Sequence, residues 1–393
     1  SAFGYNSLAT GRESLAAGYK NTANGKSSSS VGWQNSADGD YASSFGHKNK
    51  ASRLGSSAFG FINTASGLES SAFGFKNTAS GSESSAFGHL NTTNGKNSSA
   101  FGYWNTAKGE ISSAFGYQNF AKGENSSAFG YANKANEKFS SAFGSFNEAK
   151  GERSSAFGSF NEASGEFSSA LGYGNKAIGK LSSTFGTFNK AIGENGSAFG
   201  FRNEANGKFS SAFGYWNTAK GENSSAFGNQ YKVTGEASGA FGVGKATWNN
   251  TTKVFDYDYI NEGKNSYMFG NYNKIAAGTE NNFILGNNVS IGSGINNSVG
   301  LGNGSTVSSS NEVSVGSATL KRKITNVADG DVSATSTDAV NGRQLYKAMQ
   351  NSNENLKNEV NEKIDDVKDE VNHVGSLSAA LAGLHPMQYD PKA

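Results

Sequence analysis

"SSAFGYWNTAKGEISSAFGYQNFAKGENSSAFG", from Ser98 to Gly130, states one phrase nearly three times. Counting in steps of fourteen from Gly4 meets glycine at all eighteen positions up to Gly242, with no insertion to break the register. The residue before each glycine is Phe at most steps, as at Phe59, Phe73, Phe87, Phe101 and Phe115, with Leu171, Ala17 and Val31 among the exceptions. A second column is Asn, unbroken for fifteen repeats from Asn21 to Asn217. A second glycine column (Gly67, Gly81, Gly95, Gly109) fails at Arg53 and Glu137, so its turn is less demanding. A fixed period of this kind decides the fold class before any local propensity does.

Fourteen residues are too few for a pair of helices and carry no 3.6-residue pattern, but they suit two short strands and two turns. The expected fold is an all-β solenoid, a parallel β-roll of fourteen-residue coils. Glycine at both corners would supply positive φ. At the ordinary strand spacing, eighteen coils make a rod of roughly 85 Å in which each coil touches only its neighbours. Alternation along "SSAFG" puts Ser56, Ala58 and Gly60 on one face and Ser57 and Phe59 on the other. A flat, narrow coil seats only the small set inside, so the Phe ladder is expected outside, an apolar stripe larger than a soluble monomer tolerates. Three rolls around an axis would close it; the alternative is a fatter monomeric roll with Phe inside. The Asn column is expected to form a hydrogen-bonded ladder between coils at a tight bend.

Composition narrows the function classes. Hydrophobic residues are 35% of the 393, and 34 basic and 32 acidic residues are interspersed, so no stripe suited to nucleic acid appears. There is no cysteine, and no apolar run is long enough for a membrane helix. The chain reads as a mature fragment of something longer. Of the four histidines, His47 and His89 hold one repeat position three coils apart, roughly 14 Å, too far to share a metal. His373 lies off the best heptad seam and His385 stands alone near the end. With no nucleophile motif either, no enzyme activity, cofactor or metal is expected.

The register breaks after Gly242. "VGKATWNNTTKVFDYDYINEGKNSYMFG" carries an insertion near 245–265 that resembles a hairpin, either protruding or packed back on the rod. "VFDYDY" alternates Phe255, Tyr257 and Tyr259 against Asp256 and Asp258, and the two carboxylates alone are weak grounds for a cation. Looser coils follow up to Gly316, with Ile, Leu and Val in place of Phe. Thr337 is expected to cap a helix, with Asp338 in its first turn. From Leu345 apolar residues fall mostly three and four apart, and Val360, Ile364, Val367, Val371 and Val374 form a β-branched seam that favours more than two strands. The domains expected are a β-roll head with its insertion over 1–316, a neck over 317–344, and a coiled-coil stalk with the start of a membrane anchor over 345–393.

Binding residues should vary between repeats and face outward. Trp104, Phe146, Phe160, Phe188 and Trp216 qualify, at a position otherwise held by Lys76, Gln118, Arg202 or Gln230, as do Trp248, Tyr257 and Tyr259 in the insertion. Phe146 and Phe160, one coil apart, would make a small apolar step. The competing reading is packing between chains for the repeat positions and a loop packed back on the rod for the insertion.

The roll, followed by "NEVSVGSATLKRKITNVADG…TDAVNGRQL" and a heptad stalk, resembles the head, neck and stalk of a trimeric autotransporter adhesin of the YadA-like type. "SLSAALAGLHPMQYDP" is similar to the start of that family's outer-membrane anchor. The resemblance implies a left-handed parallel β-roll homotrimer with a trimeric α-helical coiled coil, held on a bacterial surface through the outer membrane. It implies a host receptor or matrix protein as partner. The fusobacterial and Veillonella style of the sequence points first to a CEACAM-type receptor, with collagen or fibronectin as alternatives, or a spacer whose adhesive part lies elsewhere. The Phe-rich ladder and the insertion around Trp248 depart from the family pattern, where aliphatic ladders are commoner.

Overall fold

In the computed structural model, which describes residues 1–384, each period makes one coil of a parallel solenoid. A coil is a five-residue strand such as Ser57–Phe61 and a two-residue strand such as Thr64–Ala65, joined by two turns. Strands pair in register with those fourteen residues on, Ala58 with Ala72 and Phe59 with Phe73, and the five-residue strands belong to a wide sheet of 22 strands. The two-residue strands stack likewise into a narrow sheet, Ala65 on Ala79. Ser56, Ala58 and Ala65 are buried between the sheets, whereas Ser57 and Phe59 face outward, as the alternation requires. The coil is thin because only alanine and serine separate its walls. Gly60 departs from the alternation: it is exposed and has φ +117°, which turns the chain so that Phe61 also faces out.

Polar chemistry closes the first bend. The amide of buried Asn63 donates to the carbonyls of Phe59 (2.8 Å) and Gly74 (2.6 Å) and to Oδ1 of Asn49 (3.0 Å), while its own Oδ1 accepts from the backbone and side-chain N–H groups of Asn77. Each Asn thus ties its own coil to both neighbours, and every polar atom it buries is used. The two glycine columns serve different needs. At Gly60 φ is positive and a Cβ would strike the Gly74 carbonyl; at Gly67 φ is ordinary, and only the close approach of the Gly81 carbonyl excludes a side chain. The positive φ of the second turn falls instead on Glu69, Glu83 and Asn97, so that part of the sequence reading is corrected.

The Asn ladder ends where the insertion enters. Tyr231 replaces asparagine, its backbone N–H still donating to Asn217 Oδ1. Its buried ring reaches across the gap so that its hydroxyl donates to the Gly270 carbonyl (2.8 Å) and accepts from the Asn273 N–H (3.2 Å). Burial pushes this phenol up to about 12. Asn273 then resumes the ladder toward Gly286 and Val289. Beyond it the pairing lengthens to sixteen residues, Phe269 with Leu285 and Leu285 with Leu301. The two added residues lie in the second turn, between Ile275 and Phe283 and again between Ile291 and Val299. The interior now holds Met268, Ile275, Ile284 and Ile291, all buried.

A second unit begins at Arg322. Its helix, α1, spans Gly342–Gly383. Thr337 does not cap it. Asn341 does, accepting from the Arg343 and Gln344 N–H groups, while Gln344 Oε1 accepts from the Asn341 N–H, a complete capping box. Asp338 accepts from the Asp331 N–H instead, closing a loop. The same Gln344 brackets Gly330 through both its backbone groups, and Arg343 and Asn341 each bond the Asp329 carboxylate at 2.7 Å. Those two donors hold the Asp329 carboxyl below its usual value. His385 and the rest of the segment similar to an anchor beyond Leu384 lie outside the described residues.

Candidate binding surface

The outer face of the wide sheet carries the Phe ladder. From Phe45 to Phe157 successive rings stack at 4.7–5.0 Å between centroids and within 10° of parallel. Among the described residues no second layer buries them: the rings are half-buried, and Phe185 is 56% exposed. The rod therefore presents a continuous apolar stripe.

A second aromatic run lies beside the first, and sequence reasoning missed it. It starts on the residue after each ladder glycine: Tyr5, Tyr19, Trp33, His47, Phe61, Phe75, His89, Tyr103, Tyr117 and Tyr131 touch ring to ring at 3.9–6.3 Å. At the next two coils this position becomes Ser145 and Ser159, yet the run does not stop. Phe146 and Phe160, one residue along, supply the missing rings, 4.8 Å from Tyr131 and 5.0 Å from each other. Phe188 does the same beside Thr187, contacting Tyr173 and Phe201. These residues and Trp216 occupy the left-handed corner, φ +54° to +58°. Phe146, Phe160 and Phe188 thus read as ladder members displaced by one residue. Trp104, 55% exposed, has Tyr103 already in the run and takes no ring contact among the described residues.

The insertion forms an antiparallel hairpin, Ala246–Asn249 against Val254–Tyr257, with Trp248 opposite Phe255. It folds back on the rod. The Phe255 ring lies 4.1 Å from that of Trp216 and 5.0 Å from that of Trp248. The Tyr257 hydroxyl shares a 3.0 Å bond with that of Thr218 and donates to the Trp216 carbonyl at 3.1 Å; burial raises this phenol above its usual value. Tyr259 packs toward the core, its ring 5.3 Å from Tyr272. Of the insertion's candidates only Trp248 stays well exposed. Asp256 accepts from Asn249, and Asp258 pairs with Lys245. Between hairpin and rod runs a groove of about 560 Å³.

On α1 the seam residues Val360, Ile364, Val367, Val371 and Val374 are all exposed, Val360 and Ile364 least at 48%. Among the described residues no three metal-ligating side chains gather, and no helix is long and apolar enough to cross a membrane.

The YadA head domain repeat matches nine segments from residues 1–21 to 205–230, together more than half of the chain, and the coiled stalk of trimeric autotransporter adhesin matches residues 323–368. The autotransporter adhesin BtaE of Brucella suis biovar 1 is 68% identical over 34 residues, which span 9% of this chain and 5% of that protein. Among solved structures, the collagen-binding domain of the Yersinia adhesin YadA is 24% identical, covering 51% of this chain and 85% of that one, with a TM-score of 0.26.

Proposed function

This chain belongs to the YadA-like family of trimeric autotransporter adhesins, and from that premise we propose that it is the head, neck and stalk of a homotrimeric bacterial surface adhesin. The observation that carries the reading is the uncovered Phe ladder. A Phe side chain brought from exposure to full burial is worth roughly 1.5–3 kcal/mol, so finishing the burial of half-covered rings gives on the order of 1 kcal/mol each. Summed along the rod, this favours association strongly. The exposed β-branched seam of α1 calls for the same remedy, and both faces are satisfied by one three-fold assembly. Phe59, Phe73, Phe87, Phe101 and Phe115 then form the dry centre of the head, and Val360, Ile364, Val367, Val371 and Val374 that of the stalk. Membership of this family supports a position on the bacterial surface, with the full-length protein anchored in the outer membrane.

The partner proposed is a host surface glycoprotein, a CEACAM-type receptor first. Trp104 is its leading anchor, since it stands exposed on the rod surface without a ring partner among the described residues. The test is immobilised trimer probed with CEACAM ectodomains, collagen and fibronectin, alongside cells that the intact bacterium holds. Saturable receptor binding that falls about tenfold in Trp104→Ala supports the reading, a loss typical of an aromatic anchor. Binding to collagen or fibronectin alone overturns the receptor choice. Failure to bind any cells that the bacterium holds assigns adhesion to another part of the protein.

A further inference from the structure

The groove under the hairpin has a chemistry of its own. Its floor is aromatic: Trp216, Phe255 and Tyr257, with Trp248 at the rim. Around this floor stand Arg202, Lys220, Lys232 and Lys253, against the single carboxylate of Glu204. None of the four cations takes a carboxylate partner closer than 4 Å among the described residues, although thirteen ion pairs form elsewhere. Arg202 is fixed by stacking between Phe188 (5.7 Å) and Trp216 (5.5 Å), and Lys232 lies 5.9 Å over the Tyr257 ring. The indole Nε1 of Trp216 is buried without a hydrogen-bond acceptor. Some lysines elsewhere in the head pair with Glu across coils, as Lys150 and Glu162 do at 2.8 Å; here four cations gather around one carboxylate without pairing.

We infer that this groove is a binding site for an anionic saccharide, a sugar ring bearing a carboxylate or a sulfate. The C–H face of a pyranose packs on aromatic rings, and its anionic group takes charge-assisted hydrogen bonds from lysine and arginine. A neutral sugar would leave the cations unanswered, and a purely apolar ligand would have to strip them of water. Thr218, Lys232 and Glu204 belong to the narrow sheet, the opposite wall from the Phe ladder. The groove therefore stays open when the ladder face is closed. This last point rests on the trimer reading; the groove itself is built within one chain and does not depend on any protein receptor.

The experiment is saturation-transfer NMR on the intact chain with three probes: 3′-sialyllactose, a sulfated heparin disaccharide, and neutral lactose. Mass measurement is made in parallel, so that loss of assembly is recognised separately. Expected is transfer to one or both anionic probes and none to lactose, declining as salt is raised. The arm that responds distinguishes a carboxylated from a sulfated source. The triple variant Lys220→Gln, Lys232→Gln, Lys253→Gln changes two exposed side chains and one half-buried one and should weaken binding roughly tenfold, a loss on the scale of modest surface charge interactions, with mass and circular dichroism unchanged. Lactose binding equally well, no response to either anion on a folded trimer, or full binding by the triple variant would each overturn the proposal. So would capture of an acidic peptide by the groove while both sugars fail.

Discussion

The coils before and after the hairpin solve one packing problem with different side chains. In the fourteen-residue coils the walls are held apart by alanine and serine, and the large apolar groups stand outside. In the sixteen-residue coils the second turn is two residues longer, and Met268, Ile275, Ile284 and Ile291 are buried in the interior. Where one wall position shrinks, the others compensate: at Gly300 a side chain would meet Val289, Val307 and Ile284. Interior volume follows coil length because protein cores are filled to crystal-like density. The contrast shows why the long regular part cannot bury its own aromatics. Its coil is too short to hold them, so the Phe set is excluded by geometry.

Exchanging interiors is the strongest way to break this comparison. Ile284→Ala should leave a cavity in the wide coils and cost about 2–5 kcal/mol. Ala114→Ile should overpack a fourteen-residue coil and cost about 1–3 kcal/mol or more. Hydrogen exchange resolved by coil reads both, and each loss should be confined to its own coil and neighbours, as in other solenoids. If Ala114→Ile were neutral, the fourteen-residue coil would have room the account denies it.

A smaller effect separates the outer surfaces. Lys150 lies 2.8 Å from Glu162 and 3.3 Å from Glu148, with Lys176 3.5 Å from Glu162, a charge ladder on the narrow sheet. The Lys150 hydrogen bond holds the Glu162 carboxyl below its usual value, against an opposing effect of burial, and the same bond raises Lys150. A depressed carboxyl contributes stability above its unfolded pKa and loses it as pH falls through the folded one. The raised lysine contributes below its unfolded value and loses it as pH climbs past the folded one. Both windows lie away from neutrality. These groups are largely solvated, so Glu162→Gln should cost under about 1 kcal/mol at pH 7. The difference from wild type should vanish in acid, as melts at two pH values would reveal.

How much was readable in advance follows the strictness of each column. The period, the Asn ladder and the outward Phe set were legible because one residue type holds each place for many coils. The second aromatic run was not, because its column mixes Tyr, Trp, His, Phe and Ser, and its rings come from two neighbouring positions. A search by ring adjacency over both positions would have found it, and would have recast Phe146, Phe160 and Phe188 as ladder members. The sixteen-residue coils escaped because their extra residues sit in loose turns. Thr337 and Asp338 looked like a helix start, but Asn341 with Gln344 three residues on is the fuller capping signal, and the helix follows it. In the insertion, alternation correctly put Phe255 and Tyr257 on one face; that this face meets the rod depended on Trp216 and Thr218, remote in sequence.

The mass of the chain in solution tests the central claim most directly. Light scattering at micromolar concentration, with the fragment free of other proteins, should give three times the 40.9 kDa of one chain, persisting on dilution because the Phe faces are closed against one another. A stable, soluble species of single-chain mass, with its phenylalanine rings open to water, would contradict it.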